Sequence, residues 1–201
     1  TRAIRSLGKE QEKVYAPWIS AVAKIRPLLL DGKCARTADL TDEEKAAVYD
    51  MFLLTMKPTL YVANVDEDTI ADGTNKYVEI VKKYADEEKS EVVVICGKFE
   101  ADLAEIDDPA DRKDFMESVG LKESGLAVLA RKAYHLMGLR TFFTGGPDEC
   151  RAWTIHNGDK APRAAGVIHT DFEKGFIKAE AYTIDDLRQY KDEASIKAAG
   201  K

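Results

Sequence analysis

Apolar residues recur at helical spacing in the first third of the chain, gather into two short unbroken runs near its middle, and alternate with polar residues toward its end. Ile4 to Leu30 reads as helix interrupted near Pro17 and Pro27, because proline removes a backbone donor and crowds the preceding turn. A bent arm is expected there. Thr41 and Glu44 form a T-x-x-E capping box, which predicts a second helix running to about Leu54 with Ala47, Val48 and Met51 at helical spacing. Thr59 to Ala63 (TLYVA) and Glu91 to Cys96 (EVVVIC) read as buried strands. Asn75 to Lys89, between them, is charged and helical, with Tyr77, Ile80, Val81 and Tyr84 on one face. Strand, helix and strand in this order predict a βαβ unit with parallel strands. The loops after both strands then open on one sheet edge, where open α/β sheets bind ligands, and Asn64 and Cys96 fall on that edge.

Phe99 to Leu139 is helical and acidic, broken by Pro109 and Gly120 and ending near Gly138. Beyond it, Thr141 to Thr144, Arg151 to Ile155 and Ile177 to Thr183 read as strands of a small sheet. They are separated by Gly145-Gly146-Pro147 and Asn157-Gly158-Asp159 turns. Thr170 with Glu173 is expected to cap a short helix between them, and Trp153 to lie in the core. The expected fold class is α/β and α+β: a helical arm over 1–57, a parallel βαβ region over 58–138, and a small β-rich domain over 139–201.

Charge sharpens this division. Thr1 to Arg36 carries 8 basic residues against 3 acidic ones, whereas Pro58 to Gly138 carries 10 against 18. The basic arm is a candidate for phosphate contact as well as an ordinary solvated helix face. No run approaches the roughly 20 apolar residues a membrane-spanning helix needs, so a cytoplasmic protein is expected. Cys34, Cys96 and Cys150 are odd in number and far apart, which argues for free thiols over disulfides or a zinc motif.

Catalytic signatures are missing from these residues. No G-x-x-x-x-G-K-[ST] phosphate loop occurs: Gly32-Lys33 is followed by Cys34, and Pro27 stands where the first glycine would be. Neither G-x-S-x-G nor H-E-x-x-H is present, and His135, His156 and His169 are too scattered to suggest a metal site.

The run Lys57-Pro58-Thr59-Leu60-Tyr61-Val62-Ala63-Asn64-Val65-Asp66-Glu67 resembles the base-recognition loop of the YchF family of Obg-related P-loop ATPases. In GTPases that loop is N-K-x-D and its aspartate accepts from guanine; here it reads N-x-x-E, as Asn64, Val65, Asp66 and Glu67. The extra methylene moves the carboxylate by about 1.5 Å, enough to spoil a bidentate contact to guanine. An asparagine amide can pair with adenine N6 and N7 together. Cys96-Gly97-Lys98 resembles the family's second base loop, in which backbone groups contact the base; the family more often has alanine where Gly97 stands. The stretch from Ala161 to Phe176 resembles the TGS domain that closes these proteins, a β-grasp module associated with RNA or ribosome contact.

The resemblance implies a ribosome-associated, ATP-preferring P-loop ATPase, of whose nucleotide-binding domain 58–138 is the C-terminal half, with Asn64, Val65 and Glu67 framing the adenine and Cys96 and Gly97 supplying backbone contacts. It further implies a partner in ribosomal RNA or ribosomal protein, with Arg163 and His169 as candidate contacts beside a helix start. Measured against that family, the phosphate loop, the switch regions, the magnesium ligands and the catalytic histidine are expected before Thr1, and the last strands of the TGS domain after Lys201. Both ends are therefore expected to be cut, and the chain alone to be inactive. The alternative is a non-enzymatic adaptor that binds ribosomal RNA or protein through the arm and the TGS-like region.

Overall fold

The computed structural model describes residues 9–146 and 149–200. They form two compact units that meet in sequence between Met137 and Gly138. Pro147, at the end of one expected turn, and Ile4 to Gly8, at the start of the expected arm, lie outside the described residues.

The first unit opens with α1 (Lys9–Leu30), which runs through both Pro17 and Pro27. The interruption expected there is not seen. A proline inside a helix costs about 3 kcal/mol, and burial offsets it: Ala21 and Ile25, on the stretch between the two prolines, are enclosed with Ala35, Leu40 and Val48 in one cluster. The capping box forms as expected, Thr41 accepting from the Glu44 amide and Glu44 from the Thr41 amide. The helix it starts, α2 (Asp42–Ala47), nevertheless ends well before Leu54. Phe52 adopts a left-handed conformation (φ 48°) between two single-turn 3₁₀ segments, Tyr49–Met51 and Leu54–Met56. That reversal brings Leu53 and Met56 back onto the cluster, which a straight helix would not.

The βαβ unit is present. Strand β1 (Leu60–Asn64) pairs in parallel with β2 (Glu91–Ile95), from Leu60 opposite Glu91 to Asn64 opposite Ile95. A short helix absent from the sequence reading, α3 (Glu67–Asp72), follows β1 directly. Asn75 then caps α4 (Lys76–Glu87) by accepting from the Tyr77 and Val78 amides. The buried stripe of α4 is Val78 and Ala85, with Val81 half-buried between them and Glu88 continuing it, whereas Tyr77, Ile80 and Tyr84 are exposed. The expected apolar face is thus corrected by about a quarter turn.

The reason is a carboxylate. Glu88 accepts from the Arg36 guanidinium at 2.5 Å, the Tyr61 hydroxyl at 2.6 Å and the Cys34 thiol at 3.1 Å. These donors, led by the tyrosine, hold its carboxyl down at about 2. The same bond raises the Cys34 thiol above its ordinary value, with burial adding to the effect. Glu88 thereby joins the segment after α1, strand β1 and helix α4.

Helices α5 (Gly97–Ala104), α6 (Pro109–Ser118) and α7 (Gly125–Leu136) follow, with breaks at Pro109 and Gly120 and an end before Gly138, as expected. Phe99 stacks on Phe115 at 4.9 Å within a cluster that includes Ile70, Cys96 and Leu103.

In the second unit, β3 (Leu139–Gly145) and β4 (Cys150–His156) form an antiparallel hairpin. Trp153 is half-buried, donating to Thr144 Oγ1 at 2.9 Å, with Arg151 over its ring at 4.2 Å. Helix α8 (Ala161–Ile168), unforeseen, leads into α9 (Thr170–Lys174), whose cap is His169 and not Thr170. Helices α10 (Ile184–Tyr190) and α11 (Glu193–Ala198) close the described chain. The strand expected over Ile177 to Thr183 does not form. Ile177 is fully solvated, and Thr183 instead makes a capping box with Asp186 at the start of α10.

Candidate functional site

The loops that follow β1 and β2 meet at the carboxyl ends of the two strands. The Val65 amide donates to the Ile95 carbonyl at 2.8 Å, extending the ladder one residue past Asn64. The Gly97 amide then donates to Asn64 Oδ1 at 2.9 Å, a bond across 33 residues of sequence. It orients the Asn64 side chain, which is exposed to solvent. What that side chain offers a ligand is its two Nδ2 donors and the second lone pair of Oδ1.

The turn after Asn64 is built by local capping. Asp66 accepts from the Thr69 amide at 2.9 Å and starts α3, and its contacts with Thr69 hold its carboxyl below the usual range. Glu67 is consequently the first residue of α3, with its carboxylate 2.5 Å from Lys98 Nζ. The pair raises the Lys98 ammonium above its ordinary value, through the hydrogen bond first and the charge of Glu67 second. Two links therefore tie the loops together, Asn64 to Gly97 and Glu67 to Lys98.

The other expected site residues divide between roles. The Val65 side chain packs on the Ile70, Cys96, Phe99 and Leu103 cluster. Cys96 is buried and caps α5, its sulfur accepting from the Phe99 amide at 3.5 Å and its carbonyl from the Glu100 amide at 3.0 Å. The Gly97 amide orients Asn64. A Cβ at Gly97 would stand 3.4 Å from Asn64 Oδ1, an ordinary contact that leaves room for alanine. Lys98 is not among the expected site residues, yet it pairs with one of them. The signal is a lysine in one loop facing an acid in the other, readable only once the strands are known to be parallel.

Below the site, Glu100 on the inner side of α5 is buried, and its carboxylate accepts from the Gly125 amide at 2.6 Å and the Leu126 amide at 3.4 Å. Ser124 accepts from the Ala127 amide at 3.1 Å, so the first three amides of α7 are satisfied by two side chains. Glu100 also lines a groove of about 510 Å³ between α5, α6 and α7, with Leu103, Arg112, Met116 and Lys122.

In the second unit, Arg163 and His169 both fall on the α8–α9 pair. Arg163 is paired with Glu173 at 3.4 Å, and His169 Nδ1 accepts from the Asp171 amide at 3.2 Å.

The Asn64 amide, oriented by Gly97, has the donor and the acceptor needed to pair with an adenine edge at N6 and N7. Among the described residues no three His, Cys, Asp or Glu side chains come together as a group that could hold a metal ion. All three cysteines are free, Cys150 exposed and Cys96 buried, and no described helix is long and apolar enough to cross a membrane.

Residues 139–201 match the family model YchF-GTPase_C, described as a protein of unknown function (DUF933). The chain is 46% identical over 198 residues to "Ribosome-binding ATPase YchF" of Escherichia coli O157:H7, covering 98% of the chain and 54% of that protein. It is 37% identical over 194 residues to "Obg-like ATPase 1" of Xenopus laevis, covering 94% of the chain and 48% of that protein. The solved structure of the Schizosaccharomyces pombe YchF GTPase superposes with a TM-score of 0.82 at 31% identity, covering 99% of the chain and 54% of that structure. The chain thus spans about half the length of the relatives it matches.

Proposed function

Because the chain belongs to the YchF family of Obg-like ATPases, which it matches over 98% of its own length, we propose that it carries the base-recognition side of an ATP site in a ribosome-binding ATPase. The observation that supports this is the bond from the Gly97 amide to Asn64 Oδ1 at the carboxyl ends of β1 and β2. It fixes an exposed amide where a purine edge can dock, and adenine offers that amide a complementary donor and acceptor at N6 and N7.

The work of the site divides along the chain. Residues 58–138 supply base recognition, with Asn64 as the contact residue. Val65 and Cys96 shape the loops from below, Gly97 orients the asparagine, and Glu67 stands at the base edge. Phosphate binding and magnesium are assigned to a phosphate loop that these 201 residues do not contain. Bound magnesium would neutralise charge on the phosphates during hydrolysis. Residues 1–57 are assigned to the helical arm, and residues 139–201 to the TGS-like domain that meets the ribosome, with Arg163 and His169 as candidate contacts. The compartment that follows is the cytoplasm.

Calorimetric titration of the protein at its native length with Mg-ATP tests the reading. Asn64→Ala is expected to weaken binding by roughly tenfold or more, as the loss of a bidentate base contact does. Unchanged affinity would remove Asn64 from the site. No binding to the unchanged protein would leave the adaptor role, binding ribosomal RNA or protein without nucleotide.

A further inference from the structure

We infer that Lys98, held in place by Glu67, selects adenine over guanine in this protein by donating to the acceptor that adenine carries at N1. The inference rests on the base-site reading above. Its starting point is the 2.5 Å pair between Lys98 Nζ and Glu67 Oε2, which joins the same two loops as the Asn64–Gly97 bond.

A carboxylate only accepts hydrogen bonds and an ammonium only donates them. Guanine presents N–H donors at N1 and N2, and a bare carboxylate at the base edge complements them. Adenine presents an acceptor at N1 and has no donor there. With an ammonium on Glu67 Oε2, the edge offers a donor beside the carboxylate's second oxygen. Guanine then meets a cation with its own N–H groups, an opposed arrangement that discriminates by repulsion as well as by lost bonding. Adenine N1 gains a partner.

Stability does not account for the pair. The Lys98 side chain is 70% exposed and that of Glu67 46%, and ion pairs so open to water contribute little to folding. Exposure serves recognition instead. A solvated lysine stem can move its ammonium between Glu67 and a docked base without disturbing α5, and the carboxylate keeps it near the base edge when the site is empty.

Dissociation constants of ATP, GTP and 1-deaza-ATP, in which a C–H replaces N1, are measured by competition against a fluorescent adenine nucleotide. The protein is used at its native length, unchanged and as Lys98→Met, Lys98→Arg and Asn64→Ala. The unchanged protein should bind 1-deaza-ATP roughly tenfold more weakly than ATP, a penalty of the size seen when a site group is left without its partner. Lys98→Met should erase that difference and lower the ATP-over-GTP ratio by a similar factor, while Lys98→Arg keeps both. A ratio that stays within about twofold in Lys98→Met, below the effect of one lost hydrogen bond, overturns the inference. So does an equal 1-deaza penalty in both proteins. If Lys98→Met leaves the ratio unchanged while Asn64→Ala weakens every nucleotide, Lys98 is not the selector and the base site stands. If Asn64→Ala binds all three as the unchanged protein does, the site itself fails and this inference with it.

Discussion

Replacing Glu88 tests how the first unit is held together. Its side chain is 8% exposed and that of its ion-pair partner Arg36 15%, so the pair is largely removed from bulk solvent. Glu88→Ala deprives three donors of their acceptor at once: the Tyr61 hydroxyl, the Cys34 thiol and the Arg36 guanidinium. Arg36 has little in reserve. Its Nε is already buried without a partner, and its Nη1 reaches only the Thr55 and Lys57 carbonyls, at 3.3 and 3.4 Å. Leaving one charge of a buried pair uncompensated costs about 3 to 5 kcal/mol. Glu88→Gln, which keeps the shape and one acceptor, should cost about 2 kcal/mol, the worth of a hydrogen bond to a charged group. The assay is urea unfolding followed by the fluorescence of Trp18 in a Trp153→Phe background, so that the single remaining tryptophan reports on the first unit. The double variant Arg36→Met, Glu88→Leu should recover more than half of the loss, because removing both charges also removes the desolvation they impose. A Glu88→Ala protein within about 0.5 kcal/mol of the unchanged one, the range of ordinary surface substitutions, would refute the argument.

Two glycines at helix starts should respond in opposite directions. Gly97→Ala meets only the ordinary contact to Asn64 and should stabilise by about 0.5 kcal/mol through the unfolded chain, whereas Gly125→Ala places a Cβ 2.8 Å from Ile95 Cγ2 and should destabilise by about 2 kcal/mol; chemical denaturation of both variants checks the contrast. Acid should unfold the first unit through Glu88 and Glu44, both held down at about 2, Glu44 by Lys24, Ser20 and the Thr41 amide. Their folded values lie below the unfolded value of 4.5, so the unfolded state binds more protons in that window. Their contribution is then full above about 4.5 and lost as the pH falls toward 2. Midpoints of urea unfolding measured across that window should fall with pH, and Glu88→Gln should flatten the slope.

What was legible in the sequence was what neighbours decide. The T-x-x-E box, the breaks at Pro109 and Gly120 and the two apolar runs that became β1 and β2 all follow from residues within a few positions of one another. The α4 face was misread because its buried stripe includes a charge: Val78 and Ala85 lead to Glu88, and a glutamate reads as surface until Arg36 and Tyr61 are known to face it. Tyr77, Ile80 and Tyr84 looked like the core stripe by composition alone. The Ile177 to Thr183 segment has strand-forming residues without a neighbouring strand among those described, and strand preference is realised only in a ladder. In the site, the motif pointed to Asn64 and Glu67, but Lys98 becomes visible only when β1 and β2 are placed side by side.

The bond between Gly97 and Asn64 also changes how substitutions in this region must be read. Three residues after Gly97 on the same helix, Glu100 supplies the cap for α7, and Gly125 is the position that lets Ile95 and Glu100 approach so closely. Positions 64, 97, 100 and 125 therefore form a chain of mutual dependence from the loop after β1 to a helix start 61 residues downstream. A change at any of them alters the surroundings in which the next one is tolerated, and their effects should be tallied as a set.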